Sequence, residues 1–449
     1  MPLPRTHLPG SANALQTRTL RRSLAWMQEG RPDLALPQLR KMADDCPGDS
    51  LIAVSLATAV LRTGNAGEAL TMFNSLLKID ARDTRALMGR GLSLHAAGDL
   101  PAALDAFRKL VATDPLSWRA WQSIADITPH EDERVHAIEG AADALLVLSQ
   151  AENASDKLSG NLTTALLEAR TPARALQVLS ARSSRPATDP FSVRQRARSL
   201  YLAGQYEAAF TEATRLLRAL PAHPRIHNPL SPFDPDRATR VLAEIQDILT
   251  AAGAQCFLAA GTLLGFHRSG GPLPHDRDID IGVLREPGGG PDIAGILRTA
   301  PGILLPRIAR PGDRYFGLMH KGVAVDIFVH DRQDPHTLFG FSRTQGDIQW
   351  RMTGFGLQAA SYGGHAWFVP AHPERYLAEL YGPAWQVPDS GFASAVSSPG
   401  LHETSPHARA FYAAMRAARA LSAGDLEKAA SLLVRSPVPL PPESAQTAD

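Results

Sequence analysis

Glycines 30, 64 and 98 stand 34 residues apart, and each heads the same short pattern. An alanine follows five residues later (Ala35, Ala69, Ala103) and a large apolar residue nine later (Leu39, Phe73, Phe107). Seventeen later come Pro47, Ala81 and Pro115. The pattern returns at Gly204 with Ala209, Ala213 and Pro221, and one period earlier Ala175 and Leu179 keep the offsets. Between them, around 118–155, one unit is irregular and longer. A fixed period of this length confines the chain to stacked units that each bury a face on the next. The glycine permits a tight turn at positive φ. The alanine lets a second helix approach the first, the large residue fills the gap, and the proline ends the helix. The expectation is an all-α solenoid over 1–223, six helix–turn–helix units from about residue 16.

This signature resembles the tetratricopeptide repeat, which implies a concave surface that binds a protein partner. Gly424, Ala429 and Leu433 repeat the five and nine offsets, so 407–434 reads as one more helical hairpin. The stretch PAHPRIHNPLSPFDPD at 221–236 cannot continue a helix, and 224–236 is expected to be a Pro-rich linker. The tail 436–449 is Pro-rich, polar at its end and expected to be disordered.

Composition removes several function classes. Lys+Arg is 46 against 45 for Asp+Glu, a net charge of +1 that speaks against non-specific nucleic-acid binding. Two cysteines, Cys46 and Cys256, exclude a disulfide scaffold or a Cys-built zinc site. One lies in a helical segment and the other in an apolar strand-like run, so two free buried thiols are expected. No run approaches the roughly 18 apolar residues of a membrane span. The N-terminus lacks an apolar core behind its basic residues, so the expected location is the cytoplasm.

The chemistry lies in 237–400. Residues 237–252 have helical apolar spacing and end at Gly253. Cys256–Ala260 reads as a short buried strand, followed by Gly261-Thr262. Over 276–281, alternation puts Asp276, Asp278 and Asp280 on one strand face and Ile279 and Ile281 on the other. Three carboxylates on one face repel each other, and a divalent cation, Mg²⁺ or Mn²⁺, removes the conflict. Downstream, GVAVDIFVH at 322–330 is an apolar strand broken by Asp326. A lone Asp there is costly unless paired or metal-bound. Asp326 becomes the third ligand if its strand lies beside 277–284.

A Gly-hydroxyl pair after one strand, Asp-x-Asp on the next and a third Asp on another is similar to the polymerase β type nucleotidyltransferases. Gly-Thr-Leu-Leu-Gly at 261–265, Arg268, Pro274, Asp276-x-Asp278-Ile-Asp280-Ile-Gly282 and Val-Asp326-Ile-Phe resemble the LicD/fukutin family more closely. Val369-Pro370, Tyr376-Leu377, Tyr381-Gly382 and Trp385 look like its terminal segment. His275 replaces the Trp that the family often has before the first Asp, and the cysteine-rich zinc element of fukutin-related proteins is absent. The resemblance implies an α+β nucleotidyltransferase-fold domain after the solenoid. It implies transfer of a phospho-alcohol, such as phosphocholine or ribitol phosphate, from a CDP-linked donor to a glycan hydroxyl with release of CMP. Asp278, Asp280 and Asp326 would hold the metal and carry catalysis. Gly261, Thr262, Gly265, Arg268, Asp276, His320 and Lys321 would bind substrate. Gly261 and Thr262 would do so as an anion nest, Arg268 as a phosphate fork, and Lys321 as the sole lysine between Lys157 and Lys428. Two other readings stand beside this one. One is a nucleotidyltransferase that uses a nucleoside triphosphate and releases pyrophosphate. The other is a repeat scaffold with a decayed transferase domain.

Overall fold

The structure is a computed structural model that describes residues 11–151, 155–181, 189–220, 233–274 and 276–440. His275, residues 221–223 at the end of the expected solenoid, most of the expected linker (224–232 of 224–236) and the end of the expected tail (441–449) lie outside the described residues. The chain forms two compact units, 1–158 and 159–449.

The first unit is helical throughout. Its helices are α1 (Ser11–Gln28), α2 (Pro32–Asp45), α3 (Ser50–Arg62), α4 (Ala66–Ile79), α5 (Thr84–Ala96), α6 (Leu100–Thr113), α7 (Trp118–Ile127) and α8 (Glu131–Ser149). The repeat offsets explain the hairpins. Gly30, Gly64 and Gly98 turn between paired helices at φ 75°, 94° and 83°, where a side chain would be strained. Ala35, Ala69 and Ala103 have no exposed surface, and Leu39, Phe73 and Phe107 are fully buried between neighbouring helices. Asp49 and Asp83 cap α3 and α5 by accepting backbone N–H groups of the first turn, each worth about 1 kcal/mol. The irregular unit owes its extra length to α8, which runs 19 residues against 14 in α4 and α6. Cys46 is half-exposed and accepts from Gln16 Nε2 at 3.0 Å, so only Cys256 is a buried free thiol.

From α9 (Asp156–Glu168), whose first turn spans the unit boundary, four more repeat helices follow, with α10 (Pro172–Ala181), α11 (Pro190–Leu202) and α12 (Tyr206–Ala219). The turn position that is glycine elsewhere is Arg170 here, held at φ 55°. Its guanidinium bonds the carbonyl of Ile308 and the carboxylate of Asp313, which offsets a strained backbone. Helix α13 (Pro235–Ala251) then leads into the sheet domain. There follow β1 (Gln255–Leu258), α14 (Ala260–Ser269), β2 (Asp278–Arg285), α15 (Ile293–Thr299), β3 (Tyr315–His320), β4 (Val323–Gln333), β5 (His336–Gly340) and β6 (Gln349–Thr353). The six strands form one mixed sheet in the order β1-β2-β4-β5-β6, with β3 also on β4. Among the described strands of this sheet only β2 and β4 run parallel. A separate hairpin joins β7 (Leu357–Tyr362) and β8 (His365–Pro370). The chain ends with α16 (Pro373–Tyr381), α17 (Ser394–Ser397), α18 (Pro406–Ser422) and α19 (Leu426–Val434).

The boundary between compact units falls well before the Pro-rich stretch. Ala197, Tyr201, Tyr206, Ala209, Phe210 and Ala213 of α11 and α12 share one core with α13 and the sheet. Tyr201 donates to Asp347, and α18 packs along α12. The last two repeat helices are therefore part of the sheet domain's core. The hairpin α18–α19 packs on both, with Ala418 against Val193 and Leu216, and Phe411 and Ala414 in the sheet core.

Candidate functional site

The alternation of β2 and β4 sorts their side chains onto two faces. Ile279, Ile281 and Val283 pair across the ladder with Val325, Ile327 and Val329, all buried. On the opposite face Asp280 lies directly beside Asp326, and Asp278 beside Ala324. The parallel register thus puts three partly buried carboxylates on one patch of sheet. Gly317 of β3 lies across from Asp326, and a Cβ there would come within 2.5 Å of the Tyr315 hydroxyl. That hydroxyl donates to Asp326 Oδ1 at 2.8 Å.

The Gly-Thr pair has a use on this patch. Both residues open α14, where Gly261 N–H donates to Asp280 Oδ2 at 2.8 Å. Thr262 Oγ1 accepts from the Asp280 N–H at 2.7 Å, so the pair clamps Asp280 at both its backbone and its carboxylate. The helix N-terminus favours the negative charge.

The electrostatics follow from crowding. Burial, then the charges of Asp278 and Asp326, pushes Asp280 well above the usual carboxylate range. Burial, then the charge of Asp278, raises Asp326 to about 6, against the pull of the Tyr315 hydrogen bond and Arg416. Burial also raises Asp278, and the nearby cations Arg416, Arg277 and Arg419 hold it down. Tyr381 is driven up by burial and by Asp280, Asp276 and Asp278, so its hydroxyl faces the same patch.

The other expected ligands are placed variously. Asp276 adds its field to Asp280 and accepts from Leu273 N–H at 3.1 Å. Gly265 is a packing position, since a Cβ would lie 2.8 Å from the Gly271 carbonyl. Arg268 donates to the carbonyl of Trp385, anchoring the terminal segment. His320 pairs with Val323, which puts it on the face away from the carboxylates. There its Nε2 lies 3.1 Å from Glu244 on α13, and its Nδ1 lies 3.2 Å from the Gly302 carbonyl. Lys321 sits in the β3–β4 turn at φ 47° and pairs with the same Glu244 at 2.6 Å. The structure therefore gathers Asp276, Asp278, Asp280, Asp326, Gly261 and Thr262, and leaves Gly265, Arg268, His320 and Lys321 outside.

Sequence reasoning gave no role to Tyr315, Arg277, Arg416 or Arg419, and named Tyr381 only as part of the terminal segment. Only Tyr381 carried a signal, in its Tyr-Gly motif. Arg416 and Arg419 are about 140 residues from Asp278 in the chain, beyond the reach of any local pattern.

The donor set consists of hard carboxylate oxygens, which suits Mg²⁺ or Mn²⁺. Among the described residues no three His, Cys, Asp or Glu side chains form a ready-made metal cage. Asp280 Oδ2 is instead turned to Gly261 and Asp326 Oδ1 to Tyr315, while the second oxygen of each is not engaged by these bonds.

An uncharacterized protein of Caenorhabditis elegans is 30% identical over 161 residues, covering 33% of this chain and 42% of that protein. The match thus spans less than half of the relative's length. Solved structures that match part of the chain include pilF of Pseudomonas aeruginosa (15% identity, 46% of this chain, 93% of that chain, TM-score 0.33). A tetratricopeptide repeat protein of Parabacteroides merdae is 16% identical over 53% of this chain and 91% of its own, with a TM-score of 0.30. A tetratricopeptide repeat family model matches residues 54–117. The family model described as LicD/FKTN/FKRP, nucleotidyltransferase domain, matches residues 253–288, which include the α14 clamp, Asp276, Asp278 and Asp280 but not Asp326. The chain is thus a tetratricopeptide-like helical array followed by a mixed-sheet domain, of which residues 253–288 are similar to the LicD family.

Proposed function

We propose that the sheet domain is a metal-dependent phosphotransferase. It moves a phospho-alcohol from a CDP-linked donor to a glycan hydroxyl on the cytoplasmic side, while the repeats recruit a protein partner. The observation that carries this reading is the register of β2 and β4, which sets Asp280 beside Asp326 with Asp278 two residues away. Phosphoryl transfer asks for positioning and charge neutralisation rather than covalent help. A bound Mg²⁺ or Mn²⁺ would neutralise the donor's phosphate oxygens. Asp278, Asp280 and Asp326 would hold it. The clamp of Gly261 and Thr262 fixes Asp280, and the Tyr315 bond orients Asp326 so that its other oxygen can take the proton of the attacking hydroxyl. The acceptor oxygen bonds the distal phosphorus, the bond to the bridging oxygen breaks, and CMP leaves.

The test incubates the full chain with CDP-choline, CDP-ribitol and nucleoside triphosphates in Mg²⁺ or Mn²⁺, and scores the released nucleotide. CMP is expected, and Asp280→Asn should abolish it with the fold intact. Pyrophosphate release would instead mark a nucleotidyltransferase. No release at all would leave a scaffold.

A further inference from the structure

Three aspartates on one patch repel a phosphate group as strongly as they attract a cation, so a diphosphate substrate needs positive charge from its other side. Most arginines near this part of the chain are already engaged. Arg285 and Arg314 both bond Asp331, Arg409 bonds the Val396 carbonyl, and Arg435 forks onto Asp389. Arg416 and Arg419 differ. Both are exposed, and among the described residues neither has an ion pair.

Their helix and the α19 packed on it are tied to the carboxylate patch by two routes. Tyr412, one turn before Arg416, stacks on Phe341 at 5.1 Å, and Phe341 meets Tyr315 edge-on at 5.1 Å. Tyr315 in turn bonds Asp326. On the other side Lys428 of α19 donates to the Phe392 carbonyl at 3.1 Å, and the Phe392 ring lies 5.0 Å from Tyr381, whose hydroxyl faces the aspartates. The spacing of 412, 416 and 419 puts all three on one helix face. The opposite face is fixed by Ala410, Phe411 and Ala414 in the sheet core and by Ala418 against α11 and α12. Arg416 acts on Asp278 and Asp326, and Arg419 on Asp278.

We propose that α18 completes the site, with Arg416 and Arg419 receiving the phosphate oxygens of a diphosphate-bearing substrate opposite Asp278, Asp280 and Asp326. The repeat-like hairpin then serves the chemistry rather than partner recruitment. This rests on the reading of the aspartates as a phosphoryl-transfer site. A planar guanidinium pair suits two adjacent phosphates.

The test is calorimetric titration of the full chain with inorganic pyrophosphate in Mg²⁺ at fixed ionic strength. Arg416→Gln and Arg419→Gln should each weaken binding by roughly tenfold, about 1.4 kcal/mol. Arg416→Lys should recover part of the loss, and Arg435→Gln, whose residue already pairs with Asp389, should bind as wild type. The melting temperature should not move, because both side chains are exposed. The proposal is overturned by wild-type affinity in both Gln variants, by an equal loss in Arg435→Gln, by a drop in melting temperature in place of affinity, or by a wild-type chain that does not bind pyrophosphate. If the Gln variants lose pyrophosphate while CDP-alcohols yield no CMP, the arginine assignment stands and the donor assignment fails.

Discussion

At the scale of single residues, Asp326 carries the sharpest conflict between stability and use. Burial and the charge of Asp278 raise it to about 6 in the folded chain, against about 3.9 when unfolded. A raised carboxylate contributes stability that is complete below the unfolded value and is lost as pH climbs through the folded one. Above pH 6, then, Asp326 works against the metal-free fold. Asp326→Asn should melt at or above wild type at neutral pH without metal, and lose most of any Mg²⁺-dependent gain in melting temperature. Thermal melts with and without Mg²⁺ check this, and an unchanged metal response in the variant removes Asp326 from the ligand set. His330 has the opposite sign. It is fully buried, stacked on Phe339 at 4.1 Å, and lowered to about 4 by burial. Its contribution is present above about pH 6.5 and is lost as pH falls toward 4, on the order of 3 kcal/mol. Chemical denaturation from pH 7 to 4 should show this loss in wild type and a shallower one in His330→Phe.

At the scale of elements, the second unit depends on helices that recognise strands and loops. Tyr201 of α11 donates to Asp347, which also accepts from Ser342 and from Ile348 N–H at 2.7 Å. Asp347 is buried and raised by that burial, with Ser342 and Tyr201 bonds holding it down. Tyr201→Phe keeps the ring, stacked on Phe411 at 4.5 Å, but removes a partner from a buried carboxylate. The expected cost is about 1–3 kcal/mol, read as a lower urea midpoint with an unchanged slope. The repeat offsets were legible because each is a local packing requirement: glycine at the turn, a small residue at the crossing, a large one in the gap. The pairing of Tyr201 with Asp347 was not, because neither residue's neighbours differ from those of an ordinary exposed Tyr or Asp.

At the scale of the whole molecule, the sequence suggests one solenoid ending near the prolines, whereas the compact units part at 158/159. A fragment ending at residue 151 should fold to a cooperative, helical unit. A fragment ending at 226 should contain helix too, but expose Tyr201, Tyr206 and Phe210, which are buried against the sheet domain. Dye binding to exposed apolar surface should therefore rise sharply in the longer fragment. Equal dye binding in both would refute the shared core. Among the described residues no helix is long and apolar enough to cross a membrane. The sequence by itself determined the repeat hairpins, whose φ values and buried positions follow from spacing, and the face on which Asp278 and Asp280 stand, because strand alternation has a fixed period of two. It also marked Asp326 as a residue in need of a partner. Tertiary structure alone decided that β2 and β4 lie in parallel register with Asp280 beside Asp326, that Gly261 and Thr262 clamp a carboxylate, that His320 and Lys321 turn to Glu244, and that α18 brings Arg416 and Arg419 to the patch. These depend on which segments distant in the chain meet, and that is set by the burial of whole faces rather than by the few residues that meet there.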